Sequence, residues 1–308
     1  MTRAPLVHVA IVLHAHLPYV RHAEDPHHLE EQWLYQAMAE CYMPLLLLLD
    51  GWQADEVHRE DARWRHSSPA MARLARMIGH QHRVVRDRFE SAGRDLLKAW
   101  RLHADEGRIE WMTCPGAHPF APLFEGSPRT LMPHLQWARL THRQHASHAS
   151  ASELRGLWLA ECGWVPAIEG VLREAQVAYT VLDTHALLHA ATPPRSGYLR
   201  PVRTPGGLGV FARDPVSAKQ VWSREIGYPA DGDYREFHRD LIDEVGNPAE
   251  LGAVAHPAGV RLPTGFKYWA IGDRRTPHKP LYVPEHARHK ALQHAAHFAQ
   301  VQVQRGAQ

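Results

Sequence analysis

Short apolar runs that stop abruptly at polar, chemically capable residues restrict the fold of this 308-residue chain more than any other feature. Residues 7–13 lead into His14-Ala15-His16-Leu17-Pro18-Tyr19, and residues 108–113 into Cys114-Pro115-Gly116-Ala117-His118. Residues 156–160 stop at Glu161, residues 178–182 at Asp183-Thr184-His185, and residues 209–212 at Arg213-Asp214. Near-continuous apolar runs of this length suit strands of a parallel sheet that is covered on both faces. Helix-like stretches lie between them, at about 29–49, 69–104, 129–150 and 166–176. Strands alternating with helices predict α/β architecture with parallel strands. Ligands of such folds bind at the carboxyl ends of the strands, where each polar cluster falls.

Charge limits the partners. Thirty-five Lys+Arg against 33 Asp+Glu leave a net charge of +2, which favours neither nucleic acid nor an anionic membrane surface. The longest strongly apolar run, residues 43–49, is far short of a membrane span and reads as a core helix. His8, His14 and His16 interrupt the N-terminal apolar stretch and no small-residue cleavage site follows, which argues against a secretory leader. Three widely spaced cysteines, Cys41, Cys114 and Cys162, exclude a CxxC zinc motif and a disulfide framework, so a reducing, cytoplasmic setting is expected. The 25 histidines accompany a chain-wide excess of Arg over Lys and read as compositional drift. The tail set His286, His289, His294 and His297 accordingly reads as a solvated helix face and not a metal site.

Two connecting segments are informative by what they lack. Pro205-Gly206-Gly207-Leu208-Gly209 departs from GxGxxG spacing and precedes a strand, which predicts a hairpin or loop turn. Residues 50–68 are polar and irregular, with no apolar strand.

Glu161 follows a buried-looking strand and is flanked by Trp158 and Trp164. Indole faces stack on sugar rings, and a carboxylate beside them can attack an anomeric carbon. The competing reading is an ion-paired glutamate at the start of a loop. His14 and His16 share one side of the expected strand. They suit either a metal-dependent hydrolase barrel, with His118, Asp183 and His185 as further ligands, or a sugar cleft in which neutral imidazoles bond hydroxyls. Trp222, in Gln220-Val221-Trp222-Ser223, is either core or a substrate platform. Residues 227–234 have turn chemistry and two tyrosines, and form a candidate binding loop; residues 235–240 read as a charged surface stretch.

Several segments, in the same order along nearly the whole chain, resemble glycoside hydrolase family 57 in its 1,4-α-glucan branching enzyme-like branch. They are residues 14–20, Gly116-Ala117-His118, Trp158-Leu159-Ala160-Glu161-Cys162-Gly163-Trp164, Asp183-Thr184-His185, Arg213-Asp214, residues 220–223, 227–229 and 234–237, and Thr264-Gly265-Phe266-Lys267-Tyr268-Trp269. The resemblance implies a distorted (β/α)7-type parallel barrel with helical insertions and a retaining mechanism on α-1,4-glucans such as amylose or glycogen. It places Glu161 as the nucleophile. It places His14, His16 and His118 at substrate-binding positions, with Asp183, His185 and Trp222 lining the same cleft. Tyr198 is the counterpart of a tyrosine on a mobile loop. No metal or other cofactor is implied, and no nucleic-acid or membrane partner.

The family's general acid is an aspartate in a Tyr-Asp-x-Glu-Leu-Phe-Gly-His-Trp-Trp-like motif that has no match here, so no residue is assigned to it. Ala160 stands where proline is usual before the nucleophile, and Trp164 where tyrosine is typical. Residues 1–308 are therefore expected to form a single catalytic-type barrel domain, incomplete at its C-terminal end relative to the family. Two readings stay open. One is a glucan transferase whose acid comes from further polypeptide or a second chain; the other is an inactive remnant that at most binds glucan. A metal-dependent hydrolase is the third alternative.

Overall fold

The structure, a computed structural model, describes residues 8–17, 31–49, 68–145, 155–247, 263–273, 275 and 278–306. In chain order its elements are α1 (Glu31–Ala37), a π-helical turn (Met38–Tyr42), α2 (Met43–Leu49), α3 (Pro69–Ser91), α4 (Leu96–Asp105), β1 (Met112–Thr113), α5 (Met132–His145), β2 (Gly156–Leu157), α6 (Glu169–Glu174), β3 (Tyr179–Leu182), α7 (Thr184–Leu188), β4 (Val202–Arg203), β5 (Gly209–Ala212), α8 (Pro215–Trp222) and α9 (Pro284–Gly306). They belong to two compact units, one of Ala92–Ala218 and one of Met1–Ser91 with Lys219–Gln308.

The Ala92–Ala218 unit carries the sheet, in the order β1-β2-β3-β5-β4. β1, β2, β3 and β5 are parallel, with Met112 opposite Gly156, Gly156 opposite Tyr179 and Tyr179 opposite Gly209. β4 pairs antiparallel with β5. The Pro205–Gly209 stretch makes the expected hairpin: Gly207 takes φ +96°, and the Leu208 N–H returns to the Thr204 hydroxyl at 3.0 Å. The fold is thus the expected α/β type with a mostly parallel sheet, and across the described residues that sheet is open. Leu135, Leu157, Leu159, Ile168, Leu172, Leu182, Leu208 and Val210 form its core, so the apolar runs read from the sequence do bury between sheet and helices. Tight spacing is visible at Gly156, where a Cβ would lie 2.5 Å from the Tyr179 ring; that ring instead passes over the strand and donates its hydroxyl to Glu110 at 2.8 Å.

Two elements depart from expectation here. The helix expected over 69–104 breaks at 92–95, where Gly93 and Arg94 take φ of 71° and 61° and Asp95 caps the new helix by accepting the Lys98 N–H at 2.8 Å. The strands are also shorter than their apolar runs. β2 pairs over two residues, and Leu159 and Ala160 beyond it are buried without joining a ladder.

The other unit is largely helical. α1, the π turn and α2 are continuous through the expected stretch, and the π turn has a local cause. Pro44 has no N–H to return four residues back, and just before it the Met43 N–H bonds the Met38 carbonyl, five residues back. Leu74, Ala75 and Ile78 of α3 pack with Leu241, Ile242, Val245 and Tyr268. Asp240 is 3% exposed, which corrects the surface reading at that position, while Phe237 and His238 of the same stretch are exposed. It accepts the N–H groups of Ile242, Thr264 and Gly265 at 3.1, 2.9 and 2.9 Å, and the Thr264 hydroxyl at 2.7 Å. A buried carboxylate is tolerated when it is this fully bonded.

Residues 8–13 do not form the expected strand. They have no regular structure, and Val9, Ile11, Val12 and Leu13 are exposed. An apolar run becomes a strand only where a neighbour supplies its ladder, and among the described residues none does. The tail histidines are on α9 as expected, but two of them meet the candidate loop. The Tyr228 ring stacks on His294 at 4.5 Å, and the Tyr228 and Tyr234 hydroxyls lie 2.8 Å from His297 and His294 Nδ1. Both loop tyrosines are thus engaged by the chain itself. Residues 50–67 lie outside the described residues. No helix among the described residues is long and apolar enough to cross a membrane.

Candidate active site

The parallel order brings the ends of β1, β2, β3 and β5 to one edge of the Ala92–Ala218 unit, and each end carries a residue singled out in the sequence. Beyond β2, Glu161 and Cys162 take φ of 53° and 54°. Beyond β1, Ala117 and His118 do the same, at 59° and 48°. Left-handed backbone is costly for residues other than glycine, and consecutive pairs of them collect where a fold positions chemistry. Glu161 is exposed and Cys162 buried, so the turn turns the carboxylate outward while the thiol faces the protein.

The two turns support each other. Gly163 closes the Glu161 turn, and a Cβ there would lie 2.5 Å from the Phe120 ring and 2.9 Å from Pro122 Cδ. Trp158 N–H donates to the Thr113 carbonyl at 2.8 Å, which ties the approach to Glu161 to the end of β1. Trp164 packs against the core.

Asp183, at the end of β3, lies 3.1 Å from Arg213 at the end of β5. Burial first, and then the Asp183 carboxylate, push the Cys162 thiol up, while the guanidinium pulls the other way. Cys162 is therefore held toward its thiol form. Burial likewise raises Cys114. Cys114 Sγ and a His118 ring nitrogen lie within 4.8 Å of one another.

The other expected site residues are placed as follows. His185 is exposed on α7, one turn-residue beyond Asp183 and Thr184. Tyr198 is half-buried and packs against the same core as Val202 and Ala212. His14 and His16, in the other unit, are exposed with their rings stacked at 6.2 Å, so the predicted side-by-side arrangement occurs without a strand. Trp222 ends α8 and is 81% exposed, which removes the core reading. Asp214 begins that helix, accepting the Ser217 N–H at 3.0 Å as an N-cap. Arg213 and Cys162 are the residues to which the sequence reading assigned no role. Arg213 follows a strand end just as Glu161 and Asp183 do, and that position was the available signal.

A mostly parallel α/β unit whose strand ends present Glu161 on a left-handed turn, an Asp–Arg pair and a histidine turn defines the class, an α/β fold with polar residues gathered at the carboxyl edge of its sheet. The chain belongs to glycosyl hydrolase family 57, which it matches over residues 10–255. It is 24% identical over 354 residues to a 1,4-alpha-glucan branching enzyme of Thermococcus kodakarensis, covering 94% of this chain and 48% of that one. It is 27% identical over 345 residues to a probable 1,4-alpha-glucan branching enzyme of Mycobacterium tuberculosis, covering 94% of this chain and 59% of that one. The chain thus spans about half to three-fifths of the length of these relatives. Among solved structures, the alpha-amylase AmyC of Thermotoga maritima superposes with a TM-score of 0.84 at 30% identity, over 94% of this chain and 62% of that one. A family 57-type branching enzyme of Pyrococcus horikoshii has the same fold, with a TM-score of 0.70 at 24% identity over 93% and 57% of the two chains.

Proposed function

We propose that this chain acts on α-1,4-glucan through a covalent glycosyl-enzyme formed at Glu161, with transfer to a sugar hydroxyl as in branching. The observation that carries the reading is the outward-facing Glu161 carboxylate on its left-handed turn at the end of β2. One carboxylate oxygen bonds the anomeric carbon as the glycosidic C–O bond breaks, and the leaving oxygen takes a proton from a general acid to which no residue here is assigned. A hydroxyl of a second glucan chain, or water, then attacks the same carbon and gives its proton to the conjugate base of that acid, while the carbon–carboxylate bond breaks and the carboxylate regains its electron pair; two inversions give net retention. The His118 turn follows β1 at the same sheet edge as Glu161, and its imidazole is suited to bonding sugar hydroxyls.

A second reading has its own support. Asp183 is engaged by Arg213, and no residue of the 308 is assigned as the acid that protonates the leaving oxygen. General acid catalysis contributes about 10²–10⁴-fold, so a chain working without it would bind glucan and turn it over slowly. Amylose incubated with the wild type and with Glu161→Gln, followed by proton NMR of new α-1,6 linkages and reducing ends, separates the two. Branching lost in the variant supports transfer at Glu161. Glucan binding without turnover supports the second reading, and turnover unchanged in the variant overturns the assignment of Glu161.

A further inference from the structure

The Ala117-His118 turn at the end of β1 is as costly in backbone conformation as the one at Glu161. Its own bond, His118 N–H to the Pro115 carbonyl at 2.9 Å, only closes the turn. Left-handed backbone at two successive residues other than glycine persists where the surroundings fix it. Here the fixing contacts fall on Gly116, just before the pair. The Gly116 N–H donates to the His134 carbonyl at 2.9 Å, and the Gly116 carbonyl lies 2.5 Å from His134 Nδ1. A carbonyl oxygen only accepts, so Nδ1 carries the hydrogen and donates it. One residue of α5 thus holds both main-chain groups of Gly116. The imidazole is itself confined, with the Phe124 ring edge-on at 6.0 Å. Gly116 also has to be small, because a Cβ there would crowd Trp137 Cβ at 3.3 Å and the His134 carbonyl at 3.4 Å.

We propose that His134 is a positioning residue for His118: its two-bond clamp on Gly116 sets the turn that aims the His118 imidazole at a sugar, a role that rests on the glucan-binding reading of His118. Two bonds to one residue fix direction as well as distance, whereas one would leave the turn free to pivot. The aim matters to the site because the chain runs on from His118 to Phe120 and Pro122, which close on Gly163 beside Glu161. Gly116 and His134 are each half-buried, so polar groups released from the clamp can reach water. Losing the clamp therefore disturbs the aim of His118 more than the fold.

The test measures binding, which needs neither the nucleophile nor a general acid. Maltoheptaose is titrated calorimetrically into wild type and variants, and the melting temperature of each is recorded. His118→Ala is expected to bind about tenfold more weakly than wild type, the loss of one well-made hydrogen bond. His134→Leu keeps bulk against Phe124 but lacks the donor, and a similar loss is expected. His134→Asn, whose Nδ2 can take the place of Nδ1, is expected to return to within about twofold of wild type. Because His134 acts through His118, the double variant His118→Ala/His134→Leu is expected to bind no more weakly than His118→Ala alone. Melting temperatures are expected to stay close to wild type. Wild-type affinity in His134→Leu beside a weakened His118→Ala overturns the role of His134 alone. So do losses that multiply in the double variant, an Asn variant as weak as the Leu variant, or losses that follow the unfolded fraction. Wild-type affinity in His118→Ala overturns the binding role of His118 and this one with it, and leaves Glu161 untouched. A wild type that binds no maltoheptaose overturns the glucan reading itself.

Discussion

Gly163→Ala is the sharpest probe of how the turn at Glu161 is supported. Gly163 has φ −75°, so alanine suits its backbone and the effect is purely steric. The added Cβ would meet Phe120 Cε2 at 2.5 Å and Pro122 Cδ at 2.9 Å. Phe120 is 42% exposed and can swing outward, but the Pro122 ring is fixed to backbone beside Ala121, which is 0% exposed. The Pro122 contact falls well short of the ~3.5 Å at which carbon atoms rest, so the turn must move by a good fraction of an ångström. Overpacking of this kind costs about 1–3 kcal/mol. Each kcal/mol lowers the melting temperature by roughly 2–4 °C in chains of this order of size. Because the displaced backbone carries Glu161, its labelling by 5-fluoro-α-glucosyl fluoride, in which a Glu161 oxygen bonds the anomeric carbon as fluoride leaves without a proton, is expected to slow by about tenfold to 10²-fold. Gly170→Ala is the internal comparison. Gly170 lies in α6 with nothing within 4 Å of its added Cβ, and alanine there is expected to stabilise by about 0.5–1 kcal/mol with labelling unchanged. Calorimetry and labelling rates on both variants decide the matter. A Gly163→Ala chain that melts and labels like wild type refutes the view that the Phe120–Pro122 loop props the turn.

Two further outcomes follow from buried polar groups. Asp240→Ala strips the acceptor from four donors, three of them backbone N–H groups, and is expected to cost at least about 3 kcal/mol, read as a lowered urea midpoint; an unchanged midpoint overturns the cap. Burial first, and then its bond to Glu110, hold the Tyr179 phenol well above the usual tyrosine range. The folded state therefore keeps a proton that the unfolded state releases, and stability present below about pH 10 is lost as pH rises beyond it. Tyr179→Phe is expected to flatten that alkaline slope in melting experiments, and an unaltered slope contradicts the assignment.

What the residues alone determined is whatever depends on near neighbours in sequence. The strand–helix alternation from β1 to β5 follows from apolar runs separated by amphipathic stretches. The hairpin between β4 and β5 follows from Gly206-Gly207, which allow positive φ, and the π turn from Pro44. Glu161 and Asp183 were legible because in a parallel sheet every strand delivers its last residue to the same edge. Tertiary structure decided the rest, because the deciding contact comes from a distant part of the chain. Residues 8–13 have the composition of a strand, but a strand needs a ladder partner, which composition does not encode. Asp240 looks like a surface charge until Thr264 and Gly265 arrive to bond it. Arg213 looks like any arginine after a strand, and only the placement of β3 beside β5 sets its guanidinium against Asp183. Periodicity and turn chemistry act over a few residues, whereas ion pairs, buried caps and sheet edges are settled by which segments the chain brings together.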